Sequence, residues 1–255
     1  MLVVLIHGYN NSFCEAAKDF AELRARIRGI DGNHDHLYLE VYWDGLYRGP
    51  YTAPLPALYW YDSRAYSLIA GQVGLRRLLN DLRLRLPENT AVRLITHSRG
   101  AGVVVGALAD ANYDPEIEVP AHESPRWQID TDLGIALLAP AVDSTDIIGH
   151  LSPEQFESDA KILVGFNAAD PVLNKIIHRP EKFGATRLGV KTDDFCRTAS
   201  FMNQVDPDLF RALNFGEAIE HGFGYYMKQQ QLIPMLEALE IIGSSDIQPD
   251  WITCR

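Results

Sequence analysis

Short apolar runs alternate with amphipathic stretches along the chain, and this alternation predicts the fold. Five runs have the length and the apolar composition of buried parallel strands, namely residues 2–6, 37–43, 92–95, 133–139 and 162–166. Residues 186–190 form a weaker sixth candidate. Helical stripes lie between the runs, and the first begins at a capping box formed by Ser12 and Glu15. We therefore predict an α/β fold with a mainly parallel sheet and helices on both faces.

Two stretches interrupt this pattern within what we predict to be one domain, residues 1–255. Residues 44–62 combine prolines and glycines with aromatic residues, and a long irregular loop in a compact domain is usually functional. We interpret it as a cap-like insertion over a pocket, although packing of its rings onto helices fits equally well. The candidate pocket residues are Trp43, Tyr47, Tyr59, Trp60 and Tyr61. Residues 112–128 are polar, contain three prolines and form a second insertion.

The sequence Thr96-His97-Ser98-Arg99-Gly100 follows the third apolar run and precedes a helical stretch. A serine in this pattern lies on a sharp turn between strand and helix, with its hydroxyl above the carboxyl edge of the sheet. Gly100 is the small residue that this turn requires two positions after the serine, whereas Thr96 is larger than the usual glycine. Ser98 is therefore our candidate nucleophile, and an ordinary helix-capping serine is the alternative.

A nucleophilic serine needs a histidine that accepts its proton and a carboxylate that orients the histidine. Asp170 follows the fifth run and Asp143 follows the fourth, and each also fits as a helix N-cap. We favour Asp170, because it lies one strand further towards the sheet edge that a late histidine reaches. Of the two later histidines, His178 fits a helix C-terminus, whereas His221 lies in a turn beside glycines. We predict Ser98, Asp170 and His221 as a catalytic triad.

Two backbone N–H groups are candidates for an oxyanion hole. The Arg99 N–H lies at the start of the helix after the serine, where backbone N–H groups point outward. The Tyr9 N–H lies in the turn after the first run, and Gly8 allows that backbone to approach closely. The Arg99 side chain, expected near the mouth of the site, is a candidate for attracting an anionic group, with a merely solvent-exposed arginine as the alternative.

These motifs resemble those of α/β-hydrolase-fold serine hydrolases. Within that superfamily, the chain is similar to a largely uncharacterised bacterial group that opens with His-Gly-Tyr/Phe-Asn-x-Ser-Phe. The matching segments are residues 7–13, Trp43 at the end of a strand, residues 59–62 and the His-Ser-x-Gly motif at 97–100. The resemblance extends to about residue 190, and His221 fits it by its order in the chain.

The resemblance implies a reduced α/β-hydrolase fold that lacks the N-terminal hairpin. It also implies that Ser98 is the nucleophile, Asp170 the acid and His221 the base, with the amides of Tyr9 and Arg99 as oxyanion donors. The sequence departs from the group at three positions: Thr96 replaces glycine, Arg99 replaces the commoner methionine, and Asp44 follows Trp43 in place of proline. These departures concern the surroundings of the acyl group.

Composition narrows the possible partners and the compartment. The formal net charge of −11 over 255 residues argues against nucleic acid and anionic membranes as partners. The three cysteines, Cys14, Cys196 and Cys254, are far apart and fit a reducing compartment without a disulfide framework. No signal peptide or membrane span is evident, so we expect a cytoplasmic protein without stable membrane insertion.

No cofactor and no metal are expected. No Gly-x-Gly-x-x-Gly motif follows a strand, which disfavours a nucleotide-binding loop. His34-Asp35-His36 is a weak metal candidate, because no second cluster of ligands matches it. We therefore predict hydrolysis of a small carboxylic ester or lipid through an acyl-enzyme intermediate. The alternatives are a lipase or phospholipase acting on membrane lipid, an amidase or peptidase, and a non-catalytic binding module. The oligomeric state is left open.

Overall fold

A parallel β-sheet forms the centre of the structure. The computed structural model describes residues 1–9, 11–30, 32, 36–43, 45, 55–87, 90–109, 132–156, 159–175 and 186–254. The strands among these residues are β1 (Leu2–Ile6), β2 (Leu37–Val41), β3 (Val92–His97), β4 (Leu133–Leu138), β5 (Lys161–Phe166) and β6 (Phe210–Asn214). Their order across the sheet is β2-β1-β3-β4-β5-β6, and every pair of neighbours is parallel. The predicted α/β fold class is confirmed.

Helices follow most of the strands and cover the sheet. They are α1 (Phe13–Ile30), α2 (Leu55–Ile69), α3 (Arg76–Arg83), α4 (Gly100–Leu108), α5 (Ser144–Ile148), α6 (Pro171–Lys175), α7 (Thr192–Met202), α8 (Phe223–Lys228) and α9 (Leu232–Ala238), with a π-helical turn, Ala70–Leu75, between α2 and α3. None of the helices in the described part of the chain combines the length and apolar character that crossing a membrane requires.

Strand β1 explains why the strands read as continuous apolar runs. Its residues are all buried, because helices cover both faces of the sheet. Leu2, Val4 and Ile6 pack into the layer that contains α4. Val3 and Leu5 point to the opposite face and pack against α1. The sheet therefore lies between two hydrophobic cores, and the polar groups that follow the strands collect at its carboxyl edge.

The capping box predicted for the first helix is present. The Ser12 N–H donates to Glu15 Oε2 at 2.8 Å, and the Glu15 N–H donates to Ser12 Oγ at 3.3 Å. These bonds satisfy backbone donors that the first helical turn leaves without partners, and α1 begins at Phe13 accordingly. The start of α1 is thus fixed.

The prediction of a sixth strand at residues 186–190 is wrong. The segment forms turns that cross the ends of two strands: the Leu188 N–H donates to Val142 O, and the Asn167 N–H donates to Gly189 O. The sixth strand is β6, whose sequence Phe-Arg-Ala-Leu-Asn is too mixed in polarity to resemble a buried parallel strand. This strand leads directly into the loop that carries His221.

The predicted cap at residues 44–62 is partly helical. Helix α2 begins at Leu55, so Tyr59, Trp60 and Tyr61 lie on a helix that packs against α4. Residues 44 and 46–54, which include Tyr47, lie outside the described part of the chain, as does the second insertion at 112–128. Irregular composition before Leu55 concealed the helix.

The cysteines were expected to be unpaired, and this is wrong for two of them. Cys196 on α7 forms a disulfide with Cys254, and their Cα atoms are 5.5 Å apart. The chain end folds back along β6, where the Ile252 N–H donates to Ala212 O at 2.9 Å. Separation along the sequence therefore did not predict separation in space, and cysteine usage no longer argues for a reducing compartment.

Candidate active site

Ser98 lies on a strained turn between β3 and α4. Its φ angle is +55°, a left-handed conformation that is costly for a residue with a side chain. Two backbone bonds hold the turn: the Ser98 N–H donates to Leu138 O at 2.9 Å, and the Ala141 N–H donates to Ser98 O at 3.1 Å. The sharp turn predicted from the sequence is present, and the neighbouring strand β4 stabilises it.

Gly100 makes this turn possible despite the large residue at Thr96. A Cβ atom at Gly100 would overlap Thr96 Oγ1 and would lie 2.8 Å from His7 O. Thr96 is completely buried at the end of β3. The absence of a side chain at Gly100 thus leaves room for threonine where glycine was expected.

The three predicted triad residues lie together. His221 Nδ1 is 2.8 Å from Asp170 Oδ2, and His221 Nε2 is 2.9 Å from Ser98 Oγ. The carboxylate only accepts hydrogen bonds, so Nδ1 carries the proton and Nε2 is free to accept the proton of Ser98. Ser98 is 3% exposed and the His221 side chain 15% exposed. The hydroxyl is therefore paired with a base whose other nitrogen is held by a buried carboxylate.

Asp170 makes both sets of contacts that its sequence position allows, with a helix N-terminus and with a histidine. Its Oδ1 accepts hydrogen bonds from the N–H groups of Val172 and Leu173 at 2.9 and 3.0 Å, which caps α6. Its Oδ2 accepts the Tyr226 hydroxyl at 3.2 Å in addition to His221. Burial and the charge of Asp170 raise the pKa of Tyr226, so the phenol stays protonated as a donor. Tyr226 was not identified from the sequence.

Asp143, the alternative candidate for the acid, makes its hydrogen bonds to the first turn of α5. Its Oδ1 accepts from the Thr145 N–H, the Thr145 hydroxyl and the Asp146 N–H at 2.7 to 3.1 Å, and it is the N-cap of α5. Burial, with the nearby charges of Asp146 and Asp194, raises the pKa of Asp143. The choice of Asp170 over Asp143 agrees with this arrangement.

The loop before α8 brings His221 to the nucleophile, and two side chains hold it. Asn167 Nδ2 donates to Ala218 O at 3.0 Å and to Glu220 O at 3.2 Å. His97 Nε2 donates to His221 O at 2.7 Å. Sequence analysis missed both residues, although each directly follows or ends a strand at the carboxyl edge, which was the available signal.

The turn after β1 lies against the nucleophile. A Cβ atom at Gly8 would be only 2.9 Å from Ser98 Cβ, so glycine is required for this approach. His7 fixes the turn: its Nδ1 donates to Gly8 O at 2.8 Å, and its Nε2 accepts the Trp43 N–H at 3.1 Å. Burial lowers the pKa of His7, which keeps this tautomer neutral.

Trp43 stabilises the same turn through its contacts with His7. Its indole Nε1 donates to His7 O at 2.7 Å, and its ring stacks on the His7 imidazole with 5.7 Å between centroids. Both predicted oxyanion donors adjoin Ser98, since Tyr9 follows Gly8 and Arg99 follows the serine. The roles of these amides, and of Trp43 in a substrate pocket, remain predictions.

The expectation that the Arg99 side chain lies near the mouth of the site is wrong. The side chain is completely buried. Its Nε donates to Ser63 Oγ at 3.2 Å and its Nη2 donates to Trp60 O at 3.2 Å, both on α2. The guanidinium also lies 4.4 Å above the Trp60 ring. The side chain therefore joins α2 to the nucleophile turn and is not available to an anionic substrate.

Trp60 occupies a position beside both predicted oxyanion donors. Its ring contacts that of Tyr9 edge-on, with 5.5 Å between centroids, and lies under the Arg99 guanidinium. It is buried, so its contacts favour the packing interpretation of the aromatic segment. Of the remaining candidates, Tyr59 and Tyr61 are placed on α2.

The other histidines do not form a second site within the described structure. His36 Nε2 contacts Ile241 O at 2.8 Å, whereas His34, Asp35 and His178 lie outside the described residues. Among the residues that the structure describes, no group of three or more histidines, cysteines and acids could hold a metal ion.

A serine on a strand–helix turn, paired with a histidine and with a carboxylate from a later strand, is the arrangement of the α/β-hydrolase class. Residues 1–190 match the model of a family described as "Alpha/beta hydrolase of unknown function (DUF900)", and the chain belongs to that family. The expected resemblance to an α/β-hydrolase group is confirmed. No curated protein sequence matches the chain.

Similar solved structures are distant. The product of gene lin2722 from Listeria innocua is 11% identical, with a TM-score of 0.45 and 96% of each chain covered. An iodinated complex of an acetyl xylan esterase is 11% identical, with a TM-score of 0.37 and coverage of 74% of this chain and 79% of that one. The metagenomic carboxyl esterase MGS0156 is 16% identical, with a TM-score of 0.29 and coverage of 84% and 48%. Likeness at this level does not bear on function.

Proposed function

We propose that the protein is a serine hydrolase that cleaves carboxylic esters through an acyl-enzyme intermediate. The observation that carries the proposal is the unbroken line of hydrogen bonds from Ser98 Oγ through the His221 ring to Asp170, with lengths of 2.9 and 2.8 Å. A weakly acidic hydroxyl becomes a nucleophile when a positioned base takes its proton as it attacks. These bonds have the lengths that proton transfer requires.

The first step of the proposed reaction forms the acyl-enzyme. Ser98 Oγ attacks the carbonyl carbon of the ester while its proton moves to His221 Nε2. Asp170 stabilises the resulting imidazolium and keeps the ring in the productive tautomer. The negative charge that develops on the carbonyl oxygen is accepted by the backbone N–H groups of Tyr9 and Arg99. The tetrahedral intermediate then collapses, and the alcohol leaves with the proton from His221.

In the second step water is the nucleophile and Ser98 is the leaving group. His221 takes a proton from water, the hydroxide attacks the acyl carbon, and Ser98 leaves with a proton returned through Nε2. Tyr226 supports both steps, because its hydroxyl keeps Asp170 Oδ2 directed at the histidine. Both reacting side chains are largely buried, which favours a small ester over a large folded substrate.

Hydrolysis of p-nitrophenyl esters from acetate to palmitate tests the proposal. We expect wild type to turn over at least part of the series and Ser98→Ala to lose roughly 10⁴-fold or more in kcat/KM. Ser67→Ala is the matched control, since that buried serine donates to Arg64 O within α2, and it is expected to retain wild-type rates. The dependence on acyl length separates a short-chain esterase from a lipase.

Two further outcomes would redirect the assignment. Stoichiometric labelling of wild type by a fluorophosphonate probe, absent in Ser98→Ala, is expected for an activated serine. Equally poor labelling of the two proteins, together with an ester profile that Ser98→Ala leaves unchanged, would mean that the fold serves binding. Faster turnover of the p-nitroanilide than of the p-nitrophenyl ester with the same acyl group would indicate an amidase.

A further inference from the structure

We propose that His97 is a positioning residue that holds His221 in line with Ser98, a role that rests on the proposed hydrolase function. His97 is the last residue of β3 and directly precedes the nucleophile. Its backbone pairs with Leu138 of β4, so its position is fixed by the centre of the sheet. From this fixed backbone position, the His97 side chain reaches the loop that carries His221.

The contact with His221 is direct. His97 Nε2 lies 2.7 Å from His221 O, and a carbonyl oxygen only accepts, so the His97 proton is on Nε2. The two imidazole rings are also in contact, with 5.0 Å between centroids. His97 therefore restrains both the backbone and the ring of His221, whereas Asn167 restrains only the backbone before it.

The environment of His97 keeps its imidazole neutral during the proposed reaction. Burial, together with the nearby charge of His221, lowers the pKa of His97 to about 3, against the opposite effects of its hydrogen bond to His221 O and of the charge of Asp170. Tyr226 is the other titratable group facing the ring, and its phenol is neutral. A neutral donor keeps its hydrogen bond across the ordinary pH range, and it does not repel the imidazolium that His221 becomes during the reaction.

The same ring also packs against the predicted oxyanion turn. A Cβ atom at Gly8 would lie 3.1 Å from His97 Nδ1, so the ring edge faces this backbone. Nδ1 accepts no hydrogen bond from any residue that the structure describes. Phe223 closes the far side of the ring, with 5.4 Å between centroids. His97 thus lies between the histidine loop, the nucleophile and the turn after β1.

The loop at residues 215–222 depends on such restraints, because its own residues belong to no helix or strand. Loss of the His97 donor leaves the His221 carbonyl unpaired and allows the base to move from Ser98. A displacement of about 1 Å at a reacting group can lower the rate by about 100-fold. We expect kcat to change more than KM, because His97 acts through His221 and does not itself contact the substrate.

Two substitutions separate the hydrogen bond from the ring. His97→Phe keeps a planar ring without a donor, whereas His97→Gln places an N–H donor near the position of Nε2. We expect kcat to fall by about 10- to 100-fold in His97→Phe with KM within about threefold of wild type, and to recover severalfold in His97→Gln. His36→Phe is the matched control, because His36 also contacts a backbone carbonyl, Ile241 O at 2.8 Å, away from the site.

The pH–rate profile adds a readout that a purely structural role does not predict. Since His97 is neutral, its variants are expected to lower the plateau of kcat/KM and to leave the midpoint of the acid limb in place. A shifted midpoint, wild-type kcat in His97→Phe, or no recovery in His97→Gln would each overturn the proposal. Loss of activity in His36→Phe equal to that in His97→Phe would do the same.

Hydrogen exchange gives a test that does not depend on turnover. Mass spectrometry is expected to show faster exchange in residues 215–222 of His97→Phe than of wild type, with partial restoration in His97→Gln. Unchanged exchange in His97→Phe would count against the positioning role even in an active enzyme. Failure of wild type to hydrolyse esters, with the exchange difference present, would instead refute the hydrolase function alone.

Discussion

Asp143 and Asp170 follow neighbouring strands, and both cap short helices, yet only one of them meets the histidine. Each uses Oδ1 to accept backbone N–H groups of its helix. Asp170 Oδ2 then accepts His221 and Tyr226. Asp143 instead lies beside Asp146 and Asp194, whose charges add to burial in raising its pKa. The same local motif therefore gives a carboxylate surrounded by four donors at β5 and one crowded by acids at β4.

The difference shows that one carboxylate can cap a helix and also contact a histidine. A helix N-cap occupies one oxygen and fixes the side-chain rotamer, which leaves the second oxygen in a defined direction. At β5 the second oxygen, Asp170 Oδ2, points to the loop that follows β6. At β4 the neighbouring helix is α7, which contributes Asp194 to the Ser144 backbone and no base. The position of the strand relative to β6 thus decides which aspartate contacts His221.

Replacing each aspartate by asparagine is the strongest test of this comparison. In Asp170→Asn we expect kcat/KM to fall by roughly 10³- to 10⁴-fold, because an amide nitrogen facing His221 disfavours the productive tautomer. If the amide oxygen faces His221 instead, its NH₂ group faces the N–H groups of Val172 and Leu173 and the cap is lost. Ester hydrolysis measures the effect.

Asp143→Asn is the matched control for that loss. Asparagine is a good N-cap, so we expect activity within about threefold of wild type. A large loss in Asp143→Asn with a small one in Asp170→Asn would exchange the two roles and overturn the assignment of the acid.

Removal of the Tyr226 hydroxyl tests whether the second donor to Oδ2 matters. We expect Tyr226→Phe to lower kcat by about 3- to 10-fold, because a bond to a charged acceptor contributes roughly 1.5–3 kcal/mol and is only partly felt by the histidine. Tyr38→Phe is the control, since its hydroxyl lies on β2 and has no hydrogen-bond partner among the described residues. Equal kcat in Tyr226→Phe and wild type would mean that His221 and the cap suffice to orient the carboxylate.

Sequence analysis succeeded where the signal was local. The nucleophile turn, the α1 capping box and the strands β1 to β5 each depend on residues within one short segment, and apolar runs define buried parallel strands well. Ser98, Asp170 and His221 were brought together by topology, because parallel strands present their carboxyl ends at one edge.

Errors arose where distant segments decide the outcome. Strand β6 has only one neighbouring parallel strand and is covered on its other side by the returning chain end, so its composition is mixed. Arg99 was placed near the surface because α2, which buries it, was concealed by an irregular sequence. His97 donates to a residue 124 positions away, a pairing that no local pattern encodes.

The smallest expected effect concerns the stability of the β4 side. Burial, with the charges of Asp146 and Asp194, raises the native pKa of Asp143, so the folded protein binds this proton more tightly than the unfolded chain. The stabilisation is complete below the unfolded value of about 4 and is lost as pH rises through the raised native value. Asparagine caps α5 without ionising. Relative to wild type, Asp143→Asn should therefore gain in the free energy of unfolding as pH rises from 4 to 7.

Urea unfolding at several pH values measures this difference. Asp194→Asn is expected to change in the same direction, because burial also raises the pKa of Asp194, although the variant loses one of the two acceptors for Ser144. A difference between wild type and Asp143→Asn that does not vary with pH would mean that Asp143 ionises as readily in the folded protein as in the unfolded chain. The acidic neighbours of Asp143 would then not affect its ionisation. The two aspartates would differ only in where their second carboxylate oxygen points.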